Sequence, residues 1–315
     1  MASFARFRRQ LPPGAAFSDW RAADGWRLRR FDCPPGGDGM RGSILFQGGR
    51  GDMIEKYLEL VAEWQAAGWA VTSFDWRGQG GSGRYAKNAR VGDIDTFDSY
   101  ARDYRAFYAD WAATARGPRI TVGHSMGGHL VLRALVEGSA KPDAAVLVAP
   151  MLGLHSPVGP RGGGRLAALM ARLGNPQRFA WKANEIPGAQ STRQALLTHD
   201  LDRYADETWW REHDSTLDMG PPSWRWVREA FASTWALNHD PRLGDMRVPT
   251  LMLVAQADKL VRAKAALAVA AELPDCQVVT FAGESAHEIL READPVRNRA
   301  IAAIDSFLDA RAPAP

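Results

Sequence analysis

Cysteine is scarce in this 315-residue chain, which has only Cys33 and Cys276. Two thiols cannot build the multi-bridge framework of a small secreted scaffold. Neither has a histidine or a second cysteine at metal-ligand spacing, which argues against a zinc site. No apolar run reaches the ~18–20 residues that a membrane span requires, and the first residues lack the continuous apolar stretch of a signal peptide. The expected location is therefore cytoplasmic. Blocks of five or six like charges are also missing, and the net charge is only +3, so the chain as a whole does not read as a nucleic-acid binder. One local asymmetry remains. Residues 1–31 hold seven arginines, at positions 6, 8, 9, 21, 27, 29 and 30, against Asp19 and Asp24. A basic arm of this kind suits peripheral contact with an anionic membrane surface, although the plainer expectation is a solvated terminus. Oligomeric state is not legible.

What the chain does have is a rhythm, carried by a composition that is 46% apolar. Six short runs rich in β-branched and apolar residues end at turn residues: 43–47, 69–75, 119–123, 144–149, 250–255 and 276–281. Continuous apolar runs of this length fit parallel strands buried on both faces. Helix-length segments with apolar residues three and four apart lie at 54–67, 97–115, 127–138, 261–273 and 295–310. The alternation predicts an α/β fold, a mostly parallel sheet with helices on both faces. Residues 15–34, with a central Ala-Asp-Gly turn, predict an antiparallel hairpin at the sheet edge.

Residues 151–240 break the rhythm. They open on Gly159-Pro160-Arg161-Gly162-Gly163-Gly164, which reads as a flexible loop, and they hold six of the twelve tryptophans. Their composition looks helical. The simplest organisation is a core of residues 1–150 and 241–315, interrupted by a helical cap of residues 151–240 above the strand ends, where loops carry function. The tail 310–315 is expected to fray.

Gly123-His124-Ser125-Met126-Gly127 matches G-x-S-x-G between an apolar strand and a helical run, the context in which that pattern has meaning. A serine on so sharp a turn exposes its hydroxyl, and the chain then passes so close to itself that small residues are required two positions to either side. The helix that follows points its first amides at the site, so Met126 N–H is a candidate oxyanion donor.

A serine hydroxyl needs a base. Of seven histidines, His287 lies in the loop after the last predicted strand, at the sheet edge from which Ser125 is reachable. His124 and His129 adjoin the elbow itself, while His155, His199, His213 and His239 suit surface or capping roles. Asp258 follows the strand at 250–255 and completes the chain order Ser…Asp…His, although an aspartate there also suits plain turn capping. The glycine-rich loop after residue 47 is the expected source of a second oxyanion donor, Arg50 N–H first and Gly49 N–H second. No metal or cofactor is expected in this chemistry.

Gly123-His124-Ser125-Met126-Gly127-Gly128 resembles the elbow of the monoacylglycerol lipase and lysophospholipase branch of α/β hydrolases. Asp75-Trp76-Arg77-Gly78-Gln79-Gly80-Gly81-Ser82 resembles that branch's loop after its fourth strand. Gly49-Arg50 with Ile54-Glu55-Lys56-Tyr57, Thr198-His199-Asp200-Leu201-Asp202-Arg203-Tyr204, and His287-Glu288-Ile289-Leu290 with Glu292 are similar to segments of the bacterial lysophospholipase L2-like group. The chain departs from many relatives at Gly48, where they carry histidine before the oxyanion-loop glycine. The resemblance implies an α/β-hydrolase fold and a serine carboxylic-ester hydrolase acting through an acyl-enzyme on lipid-like monoacyl esters. An acyltransferase using the same residues, or a ligand-binding protein on this scaffold, are the alternatives. Arg203 with Asp200 is expected to be an ion pair rather than a phosphate site.

Overall fold

The computed structural model describes residues 4–37, 39–181 and 192–313. All six predicted parallel strands form. They are β3 (Gly42–Gln47), β4 (Trp69–Phe74), β5 (Arg119–His124), β6 (Ala144–Val148), β7 (Thr250–Ala255) and β8 (Cys276–Phe281). The predicted hairpin is β1 (Ala16–Arg21) and β2 (Arg27–Cys33), which pair antiparallel, with β2 antiparallel to β4 in turn. The eight strands run in the order β1-β2-β4-β3-β5-β6-β7-β8. The order reverses between β3 and β5, and the loops leaving these two adjacent strands diverge there, which in open α/β sheets is where ligands bind.

Side chains alternate between the two faces of the sheet, as strand geometry requires. On one face Leu45, Leu147 and Met252 pack with Tyr100, Tyr104 and Phe107 of α2 (Phe97–Thr114) and with Leu130–Leu135 of α3 (Met126–Val136). On the other, Phe46, Val122, Val146 and Leu253 pack with Trp64 of α1 (Leu58–Ala66) and with Ile304 and Phe307 of α9 (Asp294–Arg311). Two separate apolar layers explain why the strands read as unbroken hydrophobic runs rather than as alternating ones.

Between β6 and β7 the chain forms α4 (Gly159–Arg172), α5 (Thr192–Leu197), α6 (Leu201–His213) and α7 (Trp224–Asn238), and α8 (Ala263–Glu272) follows β7. The expected flexible loop at 159–164 is instead the first part of α4. Gly159 turns in with φ +71°, and a proline lies in the first turn, where its fixed φ favours a helix start. Gly163 is small for a packing reason: a Cβ there would lie 2.6 Å from Ser156 Oγ and 2.7 Å from the Phe231 ring of α7. The expected frayed tail is also corrected. α9 continues to Arg311 and Ala312 is buried; residues 314 and 315 lie outside the described residues.

The basic N-terminal arm folds back on the molecule. Arg8 and Arg9 both reach Asp206 of α6, Arg27 pairs with Asp19, Arg30 with Asp32, and Arg29 bridges Glu55 and Asp75. Much of its excess charge is therefore matched within the chain. Among the described residues no helix is long and apolar enough to cross a membrane.

Candidate active site

β5 delivers Ser125 to a tight turn into α3, and Ser125 is held at φ 52°, ψ −117°. Ala149 is the other described non-glycine residue with positive φ, so the strain is localised, as it is where a fold over-determines a functional turn. The glycines make the turn possible. A Cβ on Gly123 would lie 2.7 Å from Gly128 Cα, and one on Gly127 would lie 2.4 Å from the Gln47 carbonyl. Gln47 and Gly123 are register partners in β3 and β5, so the elbow and the loop after β3 are forced side by side. The first bond of α3 is His129 N–H to Ser125 O at 3.0 Å. The amides of Met126, Gly127 and Gly128 precede it, at the positive end of the helix dipole.

His287 lies in the loop after β8 and is 4% exposed. Its Nε2 is 2.9 Å from Ser125 Oγ and its Nδ1 is 2.5 Å from Asp258 Oδ2. An ionised carboxylate only accepts, so Nδ1 carries the proton and Nε2 accepts from the serine hydroxyl. The other oxygen of Asp258 accepts from the backbone N–H groups of Leu260 and Val261 at 2.7 and 3.0 Å. The turn-capping and histidine-holding readings of Asp258 are thus both true, one per oxygen. Burial by itself raises the Asp258 pKa, but the His287 imidazole and the two amides outweigh it and the net shift is downward. For His287, burial lowers the pKa, while the charge and hydrogen bond of Asp258, with Glu288 and Asp52 beyond, raise it above the ordinary histidine value.

The remaining histidines do other work. His129 Nε2 faces Ser233 Oγ at 2.7 Å, and burial pushes its pKa down to about 3. His213 and His239 close α6 and α7 through Nδ1 to the carbonyls of Trp209 and Trp235. His155 contacts the Asp258 carbonyl, and His199 pairs with Glu292.

The loop after β3 is built around a carboxylate that motif reasoning did not single out. Asp52 Oδ2 accepts from Gly49 N–H at 2.7 Å and from Tyr57 OH at 2.7 Å, and lies 3.1 Å from His124 Nδ1. Gly49 N–H, the second-choice oxyanion donor, is therefore committed to Asp52. A Cβ on Gly49 would lie 3.0 Å from Ser125 Cβ, so glycine is needed for the loop to approach the serine at all. The Gly48 carbonyl accepts from Trp76 Nε1–H at 2.8 Å, and Gly51 N–H donates to Gln79 at 2.7 Å. These contacts, with residues of the 75–82 segment, hold the loop.

Asp52 also anchors a buried ionic network. Lys56 Nζ lies 2.5 Å from Asp52, 2.6 Å from Glu288 and 3.0 Å from Glu207 of α6. Arg193, Arg211 and Arg291 complete it around Glu207 and Glu288. Backbone bonds tie the His287 loop to α5: His287 N–H to Leu196 O at 3.3 Å and Glu288 N–H to Leu197 O at 2.7 Å. Glu292, fully buried, accepts from Ala286 N–H and His199 N–H. Arg203 pairs with Asp200, as expected, and also with Glu59 and Asp294. The sequence signals for this network were short charge spacings: Asp52 with Lys56 and Glu207 with Arg211 four apart, and Glu288 with Arg291 three apart.

A strained serine, an imidazole and a carboxylate in line, each at the carboxyl end of a strand of a mostly parallel sheet, define the α/β-hydrolase class with a serine nucleophile. The chain belongs to the family described as serine aminopeptidase, S33 (Hydrolase_4), whose pattern matches residues 38–294. It is similar to lysophospholipase L2 of Escherichia coli K12, 29% identical over 293 residues, covering 83% of this chain and 78% of that protein. A shorter match, 31% over 120 residues, covers 38% of this chain and 41% of a monoacylglycerol lipase of Mycolicibacterium smegmatis. The fold superposes on a soluble variant of monoglyceride lipase from Saccharomyces cerevisiae, solved with a substrate analog. The TM-score is 0.72 at 18% identity, covering 96% of this chain and 98% of that one.

Proposed function

We propose that this chain hydrolyses lipid-like monoacyl carboxylic esters through an acyl-enzyme on Ser125, with His287 as base and Asp258 as its orienting acid. The observation that carries the reading is the continuous hydrogen-bonded line from Ser125 Oγ through the imidazole to Asp258. Ser125 Oγ attacks the ester carbonyl as its proton passes to His287 Nε2, and the imidazolium formed is stabilised by Asp258. The carbonyl oxygen becomes an oxyanion, for which the N–H groups of Met126 and Arg50 are the proposed donors, each contributing roughly 3–4 kcal/mol. The tetrahedral adduct collapses, the alcohol leaves with the proton from Nε2, and water then attacks the acyl-serine with His287 again as base.

Residues 151–240 are proposed to act as a cap over this edge of the sheet. The backbone bonds from Leu196 and Leu197 to the His287 loop, and the ion pairs from Glu207 to Lys56, support a cap that bears directly on the site. The substrate class draws on the lysophospholipase and monoacylglycerol lipase relatives. A panel of 1-acyl lysophospholipid, 1-monoacylglycerol and a short-chain ester, assayed at equal concentration, tests it. One of the two long-chain monoacyl esters is expected to give a kcat/KM well above that of the short ester, and a preference for the short ester would contradict the substrate class.

The raised pKa of His287 sets a pH dependence. The base must be neutral to accept the serine proton, so activity is lost as pH falls through its pKa. The acid limb of kcat/KM is expected above the ~6.5 of an unperturbed histidine. Removing the negative charge in Asp258→Asn takes away the main raising influence and is expected to move that limb to lower pH, alongside a loss of rate. A limb unmoved by the substitution would separate Asp258 from the base.

A further inference from the structure

Away from the Ser125 site, α4 and α7 enclose an open cleft of about 910 Å³, floored by the segment leaving β6 and by the start of α8. Four arginines line it, Arg161 and Arg165 from α4, Arg228 from α7 and Arg262 at the N-cap of α8, and no carboxylate does. Arg228 is paired with its neighbour Glu229. Arg161, Arg165 and Arg262 have no carboxylate partner among the described residues. Arg161 and Arg165 are exposed and Arg262 is half-buried, whereas the buried arginines Arg77, Arg203, Arg291 and Arg297 are each matched by a carboxylate. The excess is also visible along the chain: residues 151–181 contain no aspartate or glutamate. The rest of the wall is apolar. Leu154, Val158 and Phe231 line it, as does Trp235, which stacks on His239 at 4.5 Å and is 61% exposed.

We propose that this cleft binds a single-chain amphiphilic anion, with the alkyl chain along the apolar wall and the headgroup among Arg161, Arg165 and Arg262. The volume lies in the range of small-molecule sites, and the lining combines an apolar wall with a few charged groups. Guanidinium forks match phosphate and carboxylate geometry. An anionic headgroup is attracted to these three cations, which no lining carboxylate compensates, whereas an uncharged amphiphile gains nothing from them. The site is separate from the ester chemistry, since Ser125, Asp258 and His287 do not line it. It is nevertheless close to the acid loop: Arg262 N–H donates to Gly153 O at 2.8 Å, and Leu154 bridges Val261.

The test is calorimetric titration of the whole protein with decyl phosphate, decanoate and uncharged decyl maltoside, each below its micellar concentration. Turnover plays no part in the readout, so the result stands whether or not the chain cleaves esters. Saturable binding of one or both anions is expected, with affinity falling at least tenfold in Arg165→Ala/Arg262→Ala and recovering partly in Arg165→Lys/Arg262→Lys. Tighter binding of decyl phosphate assigns the headgroup to a phosphate, and tighter binding of decanoate assigns it to a fatty carboxylate. Both substituted side chains lack ion pairs, so the unfolding midpoint serves as the check that the fold is kept. Equal affinity of the alanine variant and the unsubstituted protein for both anions, no anion binding at all, or maltoside binding as tight as the anions, would overturn the proposal.

Discussion

Replacing Ser125 with alanine is expected to lower ester hydrolysis by roughly 10⁴–10⁶-fold while leaving the fold intact. The reasoning is local. In the proposed mechanism the hydroxyl oxygen takes the acyl group, and without it catalysis falls to what an oxyanion hole and substrate binding supply alone. Alanine and serine pay the same backbone cost at φ 52°, because both carry a Cβ and neither is β-branched. The hydroxyl's contact is with His287, which keeps its bond to Asp258 in the variant. Hydrolysis of a medium-chain nitrophenyl ester, measured beside the unfolding midpoint, separates the two effects. A variant that cleaves the ester at the rate of the unsubstituted protein would remove Ser125 from the mechanism.

The second large effect is on stability. Lys56 carries its ammonium to three carboxylates in a site where its side chain is 1% exposed. Burial depresses its pKa, but Asp52, Glu207 and Glu288 more than offset this and it stays charged. Lys56→Met keeps the volume and removes the charge, which leaves Asp52 without its cation and Glu207 and Glu288 with less compensation. Breaking a buried pair by deleting one partner costs about 3–5 kcal/mol. The expected outcome is a lower urea midpoint at unchanged slope. A loss below ~1 kcal/mol would mean that the network is not a net support of the fold. The consequence reaches the site as well, because the same Asp52 carboxylate that pairs with Lys56 fixes the Gly49 peptide beside Ser125.

The central strands were legible because burial on both faces leaves a run of apolar residues that few other structures need, and β7, buried at every position, begins and ends where its run does. The edge strand β8 is largely exposed and was marked instead by its β-branched residues and the turns that bound it. The convergence of the proposed site was legible because the steric demand of the elbow at Ser125 is written in glycines on either side, and because His287 and Asp258 each follow a strand at the same carboxyl edge of the sheet. What could not be read was whatever depends on a partner remote in sequence. Glycines at 162–164 look permissive locally, and only Ser156 and the Phe231 ring opposite Gly163 show that this one serves close packing. Asp52 looks like an ordinary loop acid until Tyr57, His124 and the Gly49 amide are seen to converge on it. Glu292 likewise gains meaning from the amides of Ala286 and His199, which approach it from two segments. The seven arginines of the first residues looked like an open basic surface because the carboxylates that answer several of them, Glu55, Asp75 and Asp206, lie far along the chain.

The most direct measurement is the intact mass of the protein after reaction with an alkyl fluorophosphonate, followed by mapping of the modified peptide. A hydroxyl activated by His287 is expected to take one phosphonyl group, carried on Ser125, with labelling slowed by orders of magnitude in His287→Ala. No adduct on the folded protein, an adduct on another residue, or equal labelling without the imidazole would contradict the account.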